Sequence, residues 1–136
     1  MEGMRGFARR HLDALDRATT DVLCLECLGS PQPVVVEGEG MLWMNRYDEG
    51  AREALAGAAA DAGVPVMRGL ETVLATDGLI AHRAGFRTAT LASVDPTVKL
   101  PTNYHSPSDV PDNLDWGTVA DCTRIVEAWV RRLGRR

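Results

Sequence analysis

The sequence has 136 residues, which is the size of one ordinary domain or of part of a larger one. Its 19 acidic and 15 basic side chains give a net charge of -4, and the one basic cluster is Arg131, Arg132, Arg135 and Arg136, so we expect no nucleic acid partner. No apolar run reaches the roughly 20 residues of a membrane span and the first residues lack an apolar signal-peptide core, so we expect a cytoplasmic chain without a membrane partner.

The first half of the chain alternates between predicted helices and predicted strands. The pattern predicts a helix over residues 4–15, an apolar strand VLCLECLG over 22–29, a strand PVVVEGEG over 33–40, an alanine-rich helix over 47–62 and a short strand over 64–68.

The second half continues the alternation. A turn and two-turn helix over residues 76–85 precede a strand over 86–94, and the loop LPTNYHSPSDVPDNLDW over 100–116 leads into a last helix with Asp115 as N-cap. One stripe of that helix is expected to face the core: Trp116, Val119, Thr123, Val126, Val130 and Leu133. Helices alternating with apolar strands predict an α/β layered fold with at least part of the sheet parallel.

Two residues stand out by their context. Glu26 lies inside an apolar strand, where an unpaired charge is costly, so it needs a cation, a metal or a proton unless it faces solvent at a strand edge. His105 lies in the proline-rich loop, where its simpler role is a hydrogen bond to a nearby backbone group or aspartate. Together, a carboxylate and an imidazole at the ends of neighbouring strands are typical of a hydrolytic zinc site.

Two other motifs do not indicate a site. Cys24 and Cys27 form a C-x-x-C pattern, but alternate strand positions place them on opposite faces, and three cysteines in all favour reduced thiols over a disulfide framework. The stretch VEGEG over residues 36–40 lacks the lysine and hydroxyl residue of a phosphate loop, so its glycines indicate a turn. Glu37 and Glu39 within it are expected to be solvated.

Four motifs together resemble a known family. GMRGFARRH, LECLGS, TDGLIAHRAGF and NYHSPSDVPDNL, in this order and spacing, resemble the C-terminal half of the co-catalytic zinc aminopeptidases of clan MH, the aminopeptidase Y-like enzymes. The resemblance covers nearly the whole chain. It implies a mixed sheet with helices on both faces, two zinc ions at the carboxyl ends of strands, and a peptide substrate.

The resemblance also implies roles for individual residues. Glu26, in LECLG, matches the second metal-binding carboxylate, and His105 matches the last histidine ligand, one on each zinc. Asp77 would lie near the site as a supporting acid, and Tyr104 would line the substrate pocket. Glutamate replaces the commoner aspartate at position 26, which lengthens the reach of the carboxylate by one carbon.

Other parts of the family pattern have no match. The family needs an earlier histidine-x-aspartate, a bridging aspartate and a glutamate pair containing the general base, all before the helix that begins GMRGF. We therefore expect residues 1–136 to be the C-terminal half of one catalytic domain, without its N-terminal strands, the parent being exported if a signal peptide lies upstream. The free polypeptide is expected to be inactive and to bind zinc weakly at most.

Two further interpretations stay open. One is a non-catalytic half-domain whose open sheet edge binds a partner chain, such as a separately encoded N-terminal half, or associates with itself. The other is a single-metal hydrolase, which ranks last because His11 and His82 both fall on predicted helices.

Overall fold

A computed structural model describes residues 1–134, so the terminal Arg135 and Arg136 lie outside the described residues. The elements in chain order are α1 (Glu2–His11), β1 (Asp21–Glu26), β2 (Gln32–Glu39), β3 (Asn45–Arg46), α2 (Glu49–Asp61), β4 (Met67–Thr72), α3 (Asp77–Arg83), β5 (Arg87–Val94), a 3-10 turn (Pro111–Asn113) and α4 (Trp116–Leu133). No helix among residues 1–134 is long and apolar enough to cross a membrane.

The strands form one mixed sheet in the order β1-β5-β2-β3, and β4 also pairs with β2. β1 and β5 run parallel in an unbroken register from Asp21–Arg87 to Glu26–Ala92. β2 runs antiparallel to β5, and β4 runs parallel to β2. The carboxyl ends of β1 and β5 therefore meet at one end of the sheet, and the carboxyl end of β2 lies at the opposite end.

Helices cover both faces of the sheet. α2 and α4 pack over one face, where Leu55, Leu91 and Ile125 are fully buried. The alanines of α2 allow this close approach because they add little bulk between the helix and the strands. α3 contacts β1 and β5 and approaches Cys24 and Thr90, whose side chains point to the other face. The α/β fold with a mixed sheet and helices on both faces is thereby confirmed.

The predicted core-facing stripe of α4 is only partly correct, because Val126 and Leu133 pack against the core but Thr123 is exposed. The buried positions of this helix are Thr118, Cys122, Ile125 and Trp129, whereas Trp116 is 60% exposed and Val130 is 56% exposed. Apolar side chains occur on two faces of α4, so periodicity alone could not choose between them. The hydrogen bond from the Thr118 hydroxyl to the carbonyl of Pro31 (3.1 Å) sets the rotation of the helix at its start.

Several element boundaries differ from the predictions, beginning with α1, which ends at His11 and not at residue 15. β1 ends at Glu26 because Cys27 adopts a left-handed conformation (φ 49°), so the apolar run does not continue as strand to residue 29. The fourth strand is Met67–Thr72, shifted towards the C-terminus from the predicted 64–68. The two-residue strand β3 had no apolar pattern that could predict it.

Candidate functional site

Glu26 and the loop after β5 lie at the same end of the sheet. Glu26 is the last residue of β1, and the loop follows Val94, the last residue of β5, the parallel neighbour of β1. Ligands commonly bind at this end of an α/β sheet, outside the carboxyl ends of the strands. Glu26 therefore lies at the end of β1, and His105 lies in the loop that leaves the same end of the sheet from β5.

Side-chain hydrogen bonds fix this end of the sheet. The Ser93 hydroxyl donates to the carbonyl of Cys27 (2.6 Å) and accepts from the backbone N–H of Ser30 (2.7 Å), which ties the turn after β1 to the end of β5. The backbone N–H of Thr102 donates to the Ser30 hydroxyl (2.9 Å), and that of Asp115 donates to the carbonyl of Gly29 (2.9 Å). Both ends of the long loop are thus attached to the turn that follows Glu26.

Glu26 is partly buried, and its nearest polar contact is a thiol. The Cys27 Sγ–H donates to Glu26 Oε1 over 3.1 Å. Burial and the Glu26 carboxylate raise the pKa of Cys27 to about 12, so the thiol stays protonated and acts as a donor near neutral pH. Cys24 instead lies 3.7 Å from the Thr76 hydroxyl, so the two cysteines have different surroundings.

His105 lies on the surface of the loop. It is exposed, adopts a left-handed conformation (φ 52°), and its ring packs edge-on against Tyr104 at 4.1 Å between ring centres. Asn103 is also left-handed (φ 58°) and its carbonyl accepts from the N–H of Ser106 (3.0 Å), so the backbone turns tightly around the histidine. The imidazole is presented to solvent at the end of the sheet.

Tyr104 lines a cavity of about 310 Å³ at this end of the sheet. Its walls come from the turn after β1, the loop and the first turn of α4, with Cys27, Leu114, Trp116 and Val119 among them. The lining is largely apolar and the cavity opens to solvent, so an extended apolar group could enter it.

Asp77 is the first residue of α3. Its carboxylate is half exposed and forms an ion pair with the amino group of Met1, with 3.2 Å between the nitrogen and Oδ1. The preceding Thr76 is the N-cap, and its hydroxyl accepts from the N–H of Gly78 (3.1 Å). Asp77 itself is the acidic residue of the first turn, where its charge is favourable to the helix dipole.

A buried carboxylate that the sequence did not reveal lies behind Thr76. Glu39 is fully buried, so its predicted solvation is wrong; Glu37 is also mostly buried and pairs with Arg52 and Arg68. Glu39 Oε1 accepts from the hydroxyls of Tyr47 (2.7 Å) and Thr76 (2.9 Å), and Oε2 accepts from the Thr76 N–H (2.7 Å). These three donors take the place of a counter-ion.

Glu26 and Glu39 both line a second, smaller cavity of about 40 Å³ between the sheet and residues 70–76. Most of its lining is apolar, including Val36 and Ala92. Burial raises the pKa of Tyr47, so its hydroxyl remains a donor to Glu39. The buried network of Glu39, Tyr47 and Thr76 thus borders the same cavity as Glu26.

The residues of this chain do not by themselves fit a zinc site. Among residues 1–134 no three His, Cys, Asp or Glu side chains lie close enough to hold a metal ion. Catalytic zinc sites commonly have three protein ligands, and the sequence predicts two here, on different ions. His11 packs against Phe7 (4.7 Å between rings) and His82 packs edge-on against Tyr47 (5.4 Å).

Comparison with known families and structures gives one family match and several fold matches. The model of peptidase family M28 matches residues 3–130. A zinc aminopeptidase from Bacillus subtilis (BSAP) is similar over 92% of this chain and 32% of its own, with 18% identity and a TM-score of 0.64. A comparison with curated proteins found no match.

Two further solved structures share the fold. The P. knowlesi homolog of P. falciparum PNP is similar over 95% of this chain and 67% of its own, with 11% identity and a TM-score of 0.59. A purine nucleoside phosphorylase from Toxoplasma gondii is similar over 80% of this chain and 59% of its own, with 11% identity and a TM-score of 0.55. Since proteins described as peptidase and phosphorylase share this fold, the side chains at the sheet end must decide the chemistry.

Proposed function

Because this chain belongs to peptidase family M28, we propose that it forms the C-terminal half of a zinc-dependent aminopeptidase site, contributes Glu26 and His105 as metal ligands, and is inactive alone. The observation that supports the proposal is that Glu26 ends β1 and that His105 belongs to the loop after β5, the parallel neighbour of β1. Oxygen and imidazole nitrogen are both zinc ligands, and a bound zinc ion would supply Lewis acid chemistry there.

The chain's own residues have supporting roles in this proposal. The cavity beside Tyr104 would accept part of a peptide substrate, and the buried Glu39 would hold the Thr76 turn next to the Glu26 side of the site. The remaining ligands and the general base have to come from outside these residues. The chain spans about a third of the length of the Bacillus aminopeptidase (32%), which leaves room for such residues elsewhere in a complete enzyme.

Hydrolysis of aminoacyl p-nitroanilides tests the inactivity of the isolated chain. With zinc added, we expect no release of nitroaniline above the uncatalysed rate, because a general base and a third ligand are lacking. His105→Ala is the matched variant, since its side chain is exposed and its removal should leave the fold intact. Turnover by the wild-type chain that His105→Ala abolishes would contradict the proposal.

A second candidate function is the binding of a partner chain along β1. Among the described strands, β1 pairs only with β5, and its register is unbroken, so its outer edge presents regular backbone donors and acceptors. By contrast, the pairing of β4 with β2 is interrupted by two irregularities. Leu25 on β1 is 47% exposed, which adds an apolar contact to the open edge.

A charge placed on β1 tests this edge. We expect Leu25→Lys to slow aggregation of the isolated chain severalfold, because an edge lysine opposes strand addition. Val98→Lys is the control, since Val98 is 64% exposed on the loop after β5 and away from the edge. Light scattering over time measures both. If Leu25→Lys and the wild type aggregate at the same rate, β1 is not the pairing surface.

A further inference from the structure

Four consecutive apolar side chains project from the loop between β2 and β3. Met41, Leu42 and Trp43 are 81%, 85% and 79% exposed, and Met44 is 40% exposed. We call these four residues the apolar tip. They follow the carboxyl end of β2, so the apolar tip lies at the opposite end of the sheet from Glu26 and His105. It serves no role in the proposed peptidase site.

The backbone beneath the apolar tip is held in one conformation. The Asn45 side-chain amide donates to the carbonyls of Trp43 (2.7 Å) and Glu39 (3.2 Å), and the Gly40 N–H donates to the carbonyl of Thr72 (3.0 Å). Gly40 has a positive φ of 152°, and a side chain there would overlap the carbonyl of Trp43. Because the loop is already ordered, binding through it costs little conformational entropy.

Charged residues of both signs lie next to the apolar tip. Arg46 follows it on β3 and pairs with Glu71 at 2.8 Å, and Arg83 donates to the side-chain oxygen of Asn45 (3.3 Å). An apolar centre rich in Met and Trp with a polar rim has the composition of a protein–protein interface. Because Arg46 and Glu71 lie side by side, two copies related by a two-fold axis could exchange this ion pair, whereas a membrane surface favours a rim of uniformly basic residues.

We propose that the apolar tip is a self-association surface, at which two copies of this chain meet about a two-fold axis. The four side chains offer roughly 500 Å² per copy, and with the rim the total buried area reaches the lower bound of about 1,200 Å² for specific interfaces. The dimer is therefore weak and reversible. It leaves both the β1 edge and the His105 end of the sheet free.

Sedimentation equilibrium of the whole chain over a range of concentrations tests the proposal. We expect the average mass of the wild type to rise towards that of a dimer, and Leu42→Ser with Trp43→Ser to weaken association at least about tenfold. Trp116→Ser is the matched control, because Trp116 is also exposed (60%) but lies on α4, and it should associate as the wild type does. Unchanged thermal melts establish that every variant is folded.

Three results would overturn the proposal. The first is a wild-type chain that stays monomeric throughout and binds no vesicles. The second is a tip variant that associates as strongly as the wild type, with Leu25→Lys dissolving the dimer instead; this would assign self-association to the β1 edge. The third is a monomeric wild type that binds phosphatidylcholine vesicles through the apolar tip, which would assign the tip to a lipid surface.

Discussion

Replacing Glu39 with alanine lowers the free energy of unfolding by about 3–5 kcal/mol, which corresponds to a fall in Tm of roughly 10 °C or more. The reason is that three donors, the hydroxyls of Tyr47 and Thr76 and the N–H of Thr76, lose their acceptor inside the protein. An unsatisfied buried donor costs far more than an ordinary hydrogen bond contributes. Thermal unfolding followed by circular dichroism measures the effect.

Two further variants identify the cause. Glu39→Gln keeps the shape but turns an amide N–H₂ towards a donor, so it should recover only part of the loss. Glu127→Ala is the control, because Glu127 is exposed on α4 and its ion pair within the described residues is with Arg131, also exposed, so its Tm should change by at most about 2 °C. A Glu39→Ala variant that melts within that range would show that the three hydrogen bonds add nothing to stability.

The substitution Gly78→Ala has the second largest expected effect on the free energy of unfolding. An alanine side chain there would overlap the Thr90 hydroxyl and would lie 2.7 Å from the Tyr47 hydroxyl and 3.0 Å from Cys24 Cβ. These atoms belong to the sheet and to the buried network, so they cannot move aside easily. Overpacking should cost about 1–3 kcal/mol despite the better helix propensity of alanine.

Gly3→Ala should change the stability in the opposite direction, and Gly3, like Gly78, is the second residue of its helix. Gly3 also lies in a helix, and no heavy atom lies within 4 Å of an added Cβ. The substitution should stabilise the chain by up to about 1 kcal/mol, through helix propensity alone. Urea unfolding of both variants measures the difference. A Gly78→Ala chain as stable as Gly3→Ala would mean that α3 packs less closely against β1 and β5.

Local patterns in the sequence predicted the element types and several helix starts. The Asp115 side chain caps α4 by accepting from the N–H of Thr118 (2.9 Å), as its residue type and position predicted. Periodicity also predicted the fold class, because short apolar runs alternate with amphipathic helices. These features depend on residues that are near in sequence.

Features that depend on distant residues escaped prediction. The burial of Glu39 requires Tyr47 and Thr76 to converge on it, 8 and 37 residues along the chain. The antiparallel direction of β2 leaves no periodic signal, and the two apolar faces of α4 became distinguishable only through the contact of Thr118 with Pro31. The roles of Glu26 and His105 as ligands, and of Asp77 and Tyr104 near them, stay predictions from the family resemblance.

Zinc binding by the isolated chain is the most direct test of a shared metal site. Isothermal titration calorimetry should give a dissociation constant for zinc above ~1 µM, because high zinc affinity needs three or four protein ligands. Glu26→Gln and His105→Asn should each reduce the residual binding, and Cys24→Ala with Cys27→Ser should leave it unchanged. Nanomolar zinc binding by the wild type, or binding that depends on the cysteines and not on Glu26 and His105, would contradict the proposed half-site.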